Sequence, residues 1–318
     1  MKAIVCTKYG APDMLQLKEV EKPTPKDKEL LIKMYATSVT SGDARIRRAD
    51  PPIIKLIFGF KKPRNSILGV VVSGEVESIG KGVTKFKVGD QVFGTGGMEF
   101  GAYAQYKCIS EDAPLALKPN SLSFEDAAAI PFGATSSLHF LRKGNIKKGQ
   151  KVLIYGASGA LGTAAVQLAK SFGAEVTGVC SSANLEMVGS LGADEVIDYT
   201  KEDFSKSDKR YDIIFDTVGK CSYTDALNSL TKNGYLLLAN AGVSNTFKGL
   251  WTSILSSKKV IAGVAKESVE AINFLKDLSN AGKLTAVIDK VYALEQIPEA
   301  HAYVDKGHKK GNVTITLD

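Results

Sequence analysis

Apolar residues in the first 120 positions of the chain fall in short runs with strand-like alternation. The runs MKAIVC, LQLKEV and ELLIKMYATSV come first, and VVVSGEVESIG, DQVFGT and GAYAQYKCI follow, separated by glycine and proline signals. Alternation over four to eight residues between turn residues is typical of half-buried β-strands. The pattern therefore predicts a β-rich first part that lacks a strand–helix repeat.

The pattern changes at about Ser123. The stretch FEDAAAIPFGATSSLHFLRK is helical in character, and the apolar runs KVLIY, EVTGVC, EVIDY, DIIFDTV, GYLLLAN and KKVIAGV then alternate with helical stretches. Such alternation predicts an α/β fold with a parallel, doubly wound sheet. The helix and short strands after Val264 have no place left in a six-stranded nucleotide sheet. We therefore expect a discontinuous first domain, residues 1–122 and 267–318, and a nucleotide-binding domain of residues 123–266.

A glycine-rich turn joins the first strand of this second pattern to its helix. Gly156, Gly159 and Gly162 give G-x-x-G-x-x-G between an apolar run and an amphipathic helix. Small residues at these positions allow a tight turn, close approach of the backbone to a pyrophosphate and close helix packing. The helix N-terminus also offers free N–H groups to phosphates. A tight turn in any α/β protein can look similar, but the strand–turn–helix context favours a dinucleotide site.

The following strand indicates which dinucleotide binds. An NAD site usually ends this strand with Asp or Glu, which binds the ribose 2′-OH, whereas EVTGVC is followed here by Ser181 and Ser182. Two hydroxyls without a carboxylate do not repel a 2′-phosphate, so we expect NADPH rather than NADH. Ser181, Ser182 and Asn184 can also be N-caps of the next helix, which is compatible with phosphate binding.

Composition and charge narrow the class of protein. The 318 residues suffice for two domains, no apolar stretch approaches membrane-spanning length, and the N-terminus has no signal-peptide core. We therefore expect a cytoplasmic protein without membrane insertion. The four cysteines never form a C-x-x-C pair, which favours reduced, buried thiols. The formal net charge of +7 fits either anionic ligands or a solvated basic surface.

Several motifs follow one another along almost the whole chain: SVTSG with Asp43, LGVVVSGEVESIGKGVTKFKVGDQVFG, GGMEFGAYAQY, IPFGATSSLHFL, GASGALG, SLGADEVIDYTKEDF, YDIIFDTVG and HAYVDKGHKKGNVTI. In combination and order they resemble the zinc-free quinone oxidoreductase branch of the medium-chain dehydrogenase/reductases. The resemblance implies a GroES-like catalytic domain joined to a Rossmann domain. It also implies hydride transfer from NADPH to a quinone, or to the β-carbon of an enone or alkenal. A homodimer through edge strands around GYLLLANAG and KKVIAGV is the expected assembly.

The resemblance also bears on metal binding. Zinc-dependent members have a cysteine where this chain has Thr40, and Gly-His-Glu where it has Gly69, Val70 and Val71. A structural zinc lobe needs four closely spaced cysteines, and Cys108 is alone in its region. We therefore expect no metal site. Conjugated acceptors spread the developing charge, so hydrogen-bond donors can suffice without a Lewis acid, and Thr40 is the candidate catalytic donor.

Further cofactor contacts are implied by the resemblance. Tyr199 matches a tyrosine beside the adenosine 2′-phosphate, although a strand-end aromatic residue would look the same. Lys310 and Asn312 match a tail segment that reaches the cofactor, although GHKKGN could equally form a polar turn. The expected cofactor-binding residues are Thr135, Gly156, Ser158, Gly159, Ala160, Leu161, Gly162, Ser181, Ser182, Asn184, Tyr199, Val218, Ala239, Asn240, Ala241, Lys310 and Asn312.

Two other functions stay open at the level of sequence. A regulatory or RNA-binding protein on the same scaffold would suit the net charge and the basic residues between 45 and 64. The apolar residues between 53 and 60 form more simply an apolar flap over the substrate, so we do not expect a nucleic-acid partner. A zinc-free alcohol dehydrogenase is the other alternative, although no substitute for the metal is evident. The basic residues are Arg45, Arg47, Arg48, Lys55, Lys61, Lys62 and Arg64.

Overall fold

The computed structural model describes residues 1–97, 99–240 and 243–317. The chain divides into two compact units. The first consists of Met1–Phe132, Glu267–Asn280 and Thr285–Asp318, and the second of Gly133–Lys266 and Ala281–Leu284. Within the described residues, no helix has the length and apolar character needed to cross a lipid bilayer.

The helices and strands alternate irregularly in the first part of the chain and regularly in the second. The first part contains, in order, β1 (Lys2–Cys6), β2 (Leu15–Glu19), β3 (Glu29–Ser38), α1 (Ser41–Arg48), α2 (Ile54–Phe58), β4 (Val71–Ile79), β5 (Gln91–Thr95), β6 (Tyr106–Ser110), β7 (Leu115–Leu117) and α3 (Phe124–Ala129). The second part contains α4 (Pro131–Lys143), β8 (Lys151–Tyr155), α5 (Ala160–Ser171), β9 (Glu175–Cys180), α6 (Leu185–Ser190), β10 (Glu195–Asp198), β11 (Tyr211–Asp216), α7 (Tyr223–Asn228), β12 (Leu230–Leu238), α8 (Val243–Leu255) and β13 (Lys259–Ala262). The tail contains α9 (Val269–Asn280), β14 (Ile288–Ala293), α10 (Ile297–Asp305) and β15 (Asn312–Thr316).

The first unit is built on a largely antiparallel sheet. Its strand order among the described residues is β14-β15-β3-β4-β5-β7, with β6 also paired to β3, and β14 and β15 are parallel. The C-terminal strand β15 pairs antiparallel with β3, with Thr314 opposite Ser38. Buried side chains such as Ile32, Val92 and Val313 form its core. The tail therefore belongs with the N-terminal strands because it completes their sheet.

The division between the units lies later in the chain than the expected boundary after residue 122. Residues 123–132 belong to the first unit. Helix α3 packs against β3 and β4, where the Phe124 ring stacks on Tyr35 with 4.5 Å between the ring centroids. The Ser73 hydroxyl donates to the Phe124 carbonyl at 2.8 Å. These contacts hold α3 on the antiparallel sheet, whereas the expected bounds place it in the nucleotide-binding domain.

The second unit is built on a parallel sheet. Its strand order among the described residues is β10-β9-β8-β11-β12-β13, and every neighbouring pair is parallel. The order reverses between β8 and β11, which makes the carboxyl ends of these strands the usual ligand position in a doubly wound fold. This confirms the α/β class. Strands β10 and β13 are the two edge strands of this order, whereas β12, which contains GYLLL, is interior.

Candidate functional site

Two of the three glycines after β8 are required by the chain's own packing. Gly156 has a φ of +82°, and a Cβ there would lie 2.6 Å from Val218 Cγ1 and 2.8 Å from Thr217 Oγ1. A Cβ on Gly162 would lie 2.1 Å from the Gly156 carbonyl oxygen. Any side chain at either position would collide with neighbouring atoms. The backbone of the turn from β8 into α5 is therefore packed too closely at these two positions to admit a side chain.

Gly159, the middle glycine, has a different environment. Its φ is −83°, which any residue adopts, and a Cβ there would have the Gly156 oxygen, 3.7 Å away, as its nearest neighbour. The first helical hydrogen bond of α5 runs from Thr163 N to Gly159 O at 2.8 Å, so the helix leaves the N–H groups of residues 160–162 unpaired. Open space beside free amides at a helix N-terminus fits a pyrophosphate group.

Helix α4 is held against this turn within the second unit. A Cβ on Gly133 would lie 2.4 Å from the Ala160 carbonyl oxygen, and the Ser137 hydroxyl donates to the Leu161 carbonyl at 2.8 Å. Thr135 lies between these two residues in sequence and is buried. The structure therefore places Thr135 on a helix that is anchored to the start of α5.

The residues after β9 and β10 emerge side by side. The register sets Asp198 opposite Cys180, and the Tyr199 N–H donates to the Cys180 carbonyl at 3.1 Å. The Ser182 hydroxyl donates to one oxygen of the Asp198 carboxylate, and the Thr200 hydroxyl donates to the other at 2.7 Å. The expected 2′-phosphate residues Ser182 and Tyr199 are thus brought together with a carboxylate from the neighbouring strand.

The end of β9 carries no carboxylate, as the sequence shows, but Asp198 brings one beside Ser182 from the end of β10. The Ser182 and Thr200 hydroxyls lower the pKa of Asp198 to about 2, so the carboxylate is charged at neutral pH. The Lys201 ammonium lies 3.6 Å from it and is 72% exposed. Both charged groups follow the end of β10 rather than the end of β9.

Ser181 and Asn184 do not act as helix caps. Neither side chain accepts a hydrogen bond from the following helical turn. Instead, Asn184 Nδ2 donates to Ser181 Oγ at 3.2 Å, and Asn184 Oδ1 is buried without a partner among the described residues. Because Ser181 Oγ accepts this bond, its own proton is left for another acceptor.

The loops after β11 and β12 meet beside the glycine turn. The Asp216 carboxylate accepts from the Val218 N–H at 3.0 Å, and the Asp216 carbonyl accepts from the Ala239 N–H at 3.1 Å. The Asn240 amide donates to the Val218 carbonyl at 3.3 Å. Asp216 therefore holds Val218 and Ala239 together, and Asn240 joins them through Val218. Ala241 lies outside the described residues.

Lys310 and Asn312 lie in the first unit and have local partners. The Lys310 N–H donates to Asp289 Oδ2 at 2.9 Å, and the Asn312 amide donates to the Val287 carbonyl at 3.2 Å. These bonds hold the tail segment on the strand that precedes it. A contact of either residue with the cofactor stays a prediction.

Thr40, the expected catalytic donor, is the N-cap of α1. Its hydroxyl donates to Asp43 Oδ2 at 2.7 Å and accepts from the Asp43 N–H at 3.1 Å, and the Thr40 N–H also donates to Oδ2 at 2.9 Å. This is a capping box, and both residues are buried. The Thr40 proton is therefore directed at a carboxylate rather than at open space.

Burial changes the acidity of that carboxyl group. It raises the pKa of Asp43 to about 6 from the ordinary 3.8, against the opposing effect of the hydrogen bonds from Thr40. The Tyr103 side chain lies beside it, and its own pKa is raised by burial and by the charge on Asp43. Asp43 Oδ1 has no hydrogen-bond partner that meets ordinary geometry within the described part of the chain. A carboxyl group with this pKa exchanges its proton near neutral pH.

A buried histidine and arginine continue this network. The Tyr103 hydroxyl lies 3.2 Å from His301 Nε2, and Arg47 Nε donates to His301 Nδ1 at 3.3 Å. Burial, followed by the charge of Arg47, lowers the pKa of His301 to about 3, so the ring is neutral. A neutral ring that accepts at Nδ1 carries its proton on Nε2 and donates to the Tyr103 oxygen. The Tyr103 proton is then free for Asp43. Sequence spacing could not reveal this group because its members are far apart in the chain.

The positions at which zinc ligands were expected to be missing lie in apolar surroundings. Val70 and Val71 are buried in a cluster with Ala36, Phe100 and Ala128. Among residues 1–97, 99–240 and 243–317, no three His, Cys, Asp or Glu residues are grouped so that they could hold a metal ion.

Comparison with known proteins places the chain among reductases. The family of alcohol dehydrogenase GroES-like domains matches residues 26–120, and that of zinc-binding dehydrogenases matches residues 191–315. The 2-methylene-furan-3-one reductase of Solanum lycopersicum and the NADPH-dependent alkenal/one oxidoreductase, chloroplastic, of Arabidopsis thaliana are each 30% identical, over 99% of this chain and 79% of their own length. The structure of the quinone oxidoreductase from Coxiella burnetii matches with a TM-score of 0.90 and 27% identity, over 100% of this chain and 99% of that one.

Fold and relatives together define an oxidoreductase with a GroES-like domain and a Rossmann domain. The chain belongs to the quinone oxidoreductase branch of the medium-chain dehydrogenase/reductase superfamily. The family that the sequence motifs resemble is thereby confirmed.

Proposed function

We propose that this protein reduces quinones or α,β-unsaturated carbonyl compounds with NADPH and without zinc. The observation that carries the dinucleotide part is the open space at Gly159, beside the free N–H groups of residues 160–162 and between two closed glycine positions. The substrate class is supported by relatives that are named as an alkenal/one oxidoreductase and a furanone reductase. NADPH supplies a hydride when it is bound.

The second unit has residues suited to each part of the cofactor. The amides at the start of α5 would hold the pyrophosphate. The Ser181 hydroxyl and the Lys201 ammonium would bind the 2′-phosphate, while the Asp198 charge opposes it. Preference for NADPH over NADH is therefore a balance between one cation and one carboxylate.

Proton delivery can be derived from the first unit. Conjugate addition of hydride to the β-carbon gives an enolate, whose α-carbon then needs one proton. Protonated Asp43 would donate to Thr40 Oγ and so release the Thr40 proton toward the substrate, after which solvent reprotonates Asp43. Neutral donors suffice for an enolate because conjugation spreads its charge. Apolar Val70 and Val71 stand where the resemblance places ligands of a catalytic zinc.

The position of hydride transfer tests the reaction. NADPH deuterated at C4 is used with quinones, enones, alkenals and plain ketones. We expect turnover only with the conjugated acceptors, and deuterium at the β-carbon of reduced enones. Deuterium on the carbinol carbon of a plain ketone, formed at a comparable rate, would show that an alcohol dehydrogenase reaction is the correct one.

Thr40 variants test the proton route. Thr40→Ser keeps a hydroxyl and should keep most of kcat, whereas Thr40→Val should lower kcat with little change in NADPH affinity. Loss of the N-cap costs about 1 kcal/mol of stability, so urea unfolding of both variants is measured in parallel. If both variants turn over enones at the wild-type rate, the proton does not pass through Thr40.

We also propose a homodimer formed through β13. As one of the two edge strands of the parallel sheet among the described residues, β13 offers unpaired backbone groups for a second copy. Nearby apolar side chains are exposed, including Trp251 at 63% and Leu255 at 76%. Sedimentation of the wild type and of Leu255→Asp tests this: we expect a dimer and a monomer, respectively, and a wild-type monomer would contradict it.

A cytoplasmic location stays a prediction. One similar protein is named as chloroplastic, so relatives do not share a single compartment. Fractionation of cells that make this protein would decide its location.

A further inference from the structure

Helix α2 exposes an apolar face to solvent. Ile53, Leu56, Ile57 and Phe60 are 54%, 56%, 55% and 74% exposed. Ile53, Leu56 and Ile57 stand at i, i+3 and i+4, which places them on one side of this short helix. Phe60 follows Gly59, at which the helix ends. Exposed apolar side chains scattered singly are ordinary, but four of them within eight residues mark a binding surface.

The opposite side of α2 is fixed to the first unit. Ile54 is buried, and the Phe58 ring meets the Phe100 ring edge-on with 5.4 Å between centroids. The Tyr9 hydroxyl donates to the Gly59 carbonyl at 2.7 Å and so holds the end of the helix. Rotation that buried the outer face would expose Ile54 and Phe58 instead. The helix therefore needs a partner for its outer face rather than a different orientation.

The segment that contains α2 is strongly basic. The segment from residue 44 to residue 65 contains seven arginines and lysines and a single acid, Asp50, in a chain of net charge +7. Two of the seven, Arg47 and Arg48, pair with Asp305. The other five are exposed and form no ion pair within the described residues: Arg45, Lys55, Lys61, Lys62 and Arg64.

We infer that this surface, the α2 patch of residues 53–60 with its surrounding basic residues, docks on an anionic lipid surface. Exposed apolar side chains within a segment rich in exposed lysine and arginine have the composition of an interfacial anchor, which inserts its apolar side chains and sets the cations at the headgroups. RNA would use the cations but gives no reason for four exposed aliphatic and aromatic side chains within eight residues. The inference rests on the patch alone and stands whatever the substrate is.

Co-sedimentation with phosphatidylcholine vesicles, with and without phosphatidylserine, tests the inference. We expect the wild type to bind the anionic vesicles and to lose binding as salt rises. Lys61→Gln with Lys62→Gln should weaken that binding about 30-fold, from roughly 1 kcal/mol per basic residue. The matched control, Lys147→Gln with Lys148→Gln, removes two neighbouring exposed lysines outside the patch and should bind as the wild type does.

The apolar face is tested with a second pair of variants. Leu56→Asn with Ile57→Asn should abolish vesicle binding, whereas Val88→Asn with Val291→Asn, which changes two comparably exposed valines elsewhere, should leave it intact. Urea unfolding, measured in every variant, reports that the protein is folded, and NADPH affinity reports that the cofactor site, whose assigned residues lie in the second unit or the tail, is unchanged.

Three results would overturn the inference. The first is equal binding to neutral and anionic vesicles, or to neither. The second is salt-dependent retention on RNA without vesicle binding, which would make the patch a nucleic-acid surface. The third is unchanged vesicle binding in the Leu56 and Ile57 variant together with a raised KM for a water-soluble quinone, which would make α2 a substrate flap.

Discussion

Replacing Gly159 by alanine separates the requirements of the fold from those of the cofactor. Its φ of −83° accepts alanine, and the nearest atom to the added Cβ is 3.7 Å away. Loss of one glycine from the unfolded chain stabilises by about 0.4–1 kcal/mol, while alanine is a worse N-cap than glycine by a similar amount. We therefore expect the free energy of unfolding to change by no more than about 0.5 kcal/mol.

NADPH affinity should respond much more strongly. The added methyl group occupies the space beside the free amides of residues 160–162. Loss of one charge-assisted hydrogen bond to a phosphate costs about 1.5–3 kcal/mol, which is at least about tenfold in affinity. Fluorescence titration with NADPH measures the affinity, and urea unfolding without cofactor measures the stability.

Alanine substitutions of two other glycines, Gly162 in α5 and Gly189 in α6, serve as controls. Gly162→Ala places a Cβ 2.1 Å from a backbone oxygen and should destabilise the fold by about 1–3 kcal/mol or more. Gly189→Ala has open space around the added Cβ, so it should not lower the free energy of unfolding and should leave NADPH affinity unchanged. If Gly159→Ala binds NADPH within about twofold of the wild type, or unfolds as easily as Gly162→Ala, the pyrophosphate does not lie at this turn.

Three further predictions follow from charge and burial. Ser181→Asp should shift cofactor preference toward NADH by at least about tenfold, because a charge-assisted contact is lost, whereas Asp198→Asn should shift it toward NADPH. Titration with both cofactors measures the preference, and shifts of the two variants in the same direction would refute the assignment of the 2′-phosphate. Because burial raises the pKa of Asp43 from 3.8 to about 6, the stability that its protonated form contributes is complete below pH 3.8 and is lost as pH rises through 6. The free energy of unfolding of Asp43→Asn relative to that of the wild type should therefore rise by up to about 3 kcal/mol between pH 4 and 7. Urea unfolding at several pH values measures it, and a difference between the two proteins that does not change with pH would contradict the pKa shift. Burial also raises the pKa of the Cys6 and Cys180 thiols to about 11, so iodoacetamide should modify them in the native protein at least about 100-fold more slowly than in urea; equal rates would show that they are reactive.

Local patterns in the sequence determine the class of fold and the position of the dinucleotide turn. Alternation of apolar and polar residues with period two predicts the β-rich first part, and the alternation of strands with helices predicts the parallel sheet. Each strand or helix in these patterns is recognised from its own residues. The three glycines lie within seven residues, so their spacing can be interpreted without knowing the rest of the structure. The assignment of the tail to the first unit also follows, because a six-stranded sheet leaves it no place.

Tertiary structure alone decided which charged groups surround the site. Asp198 reaches Ser182 because β10 pairs with β9, and this register is not encoded in the residues that follow β9. Asp43, Tyr103 and His301 meet although the chain separates Tyr103 from His301 by 198 positions. Burial, which sets the acidity of Asp43, depends on the packing of the whole unit around it. Side-chain identity can therefore be known from the sequence, whereas charge state and neighbours are fixed only when distant segments pack together.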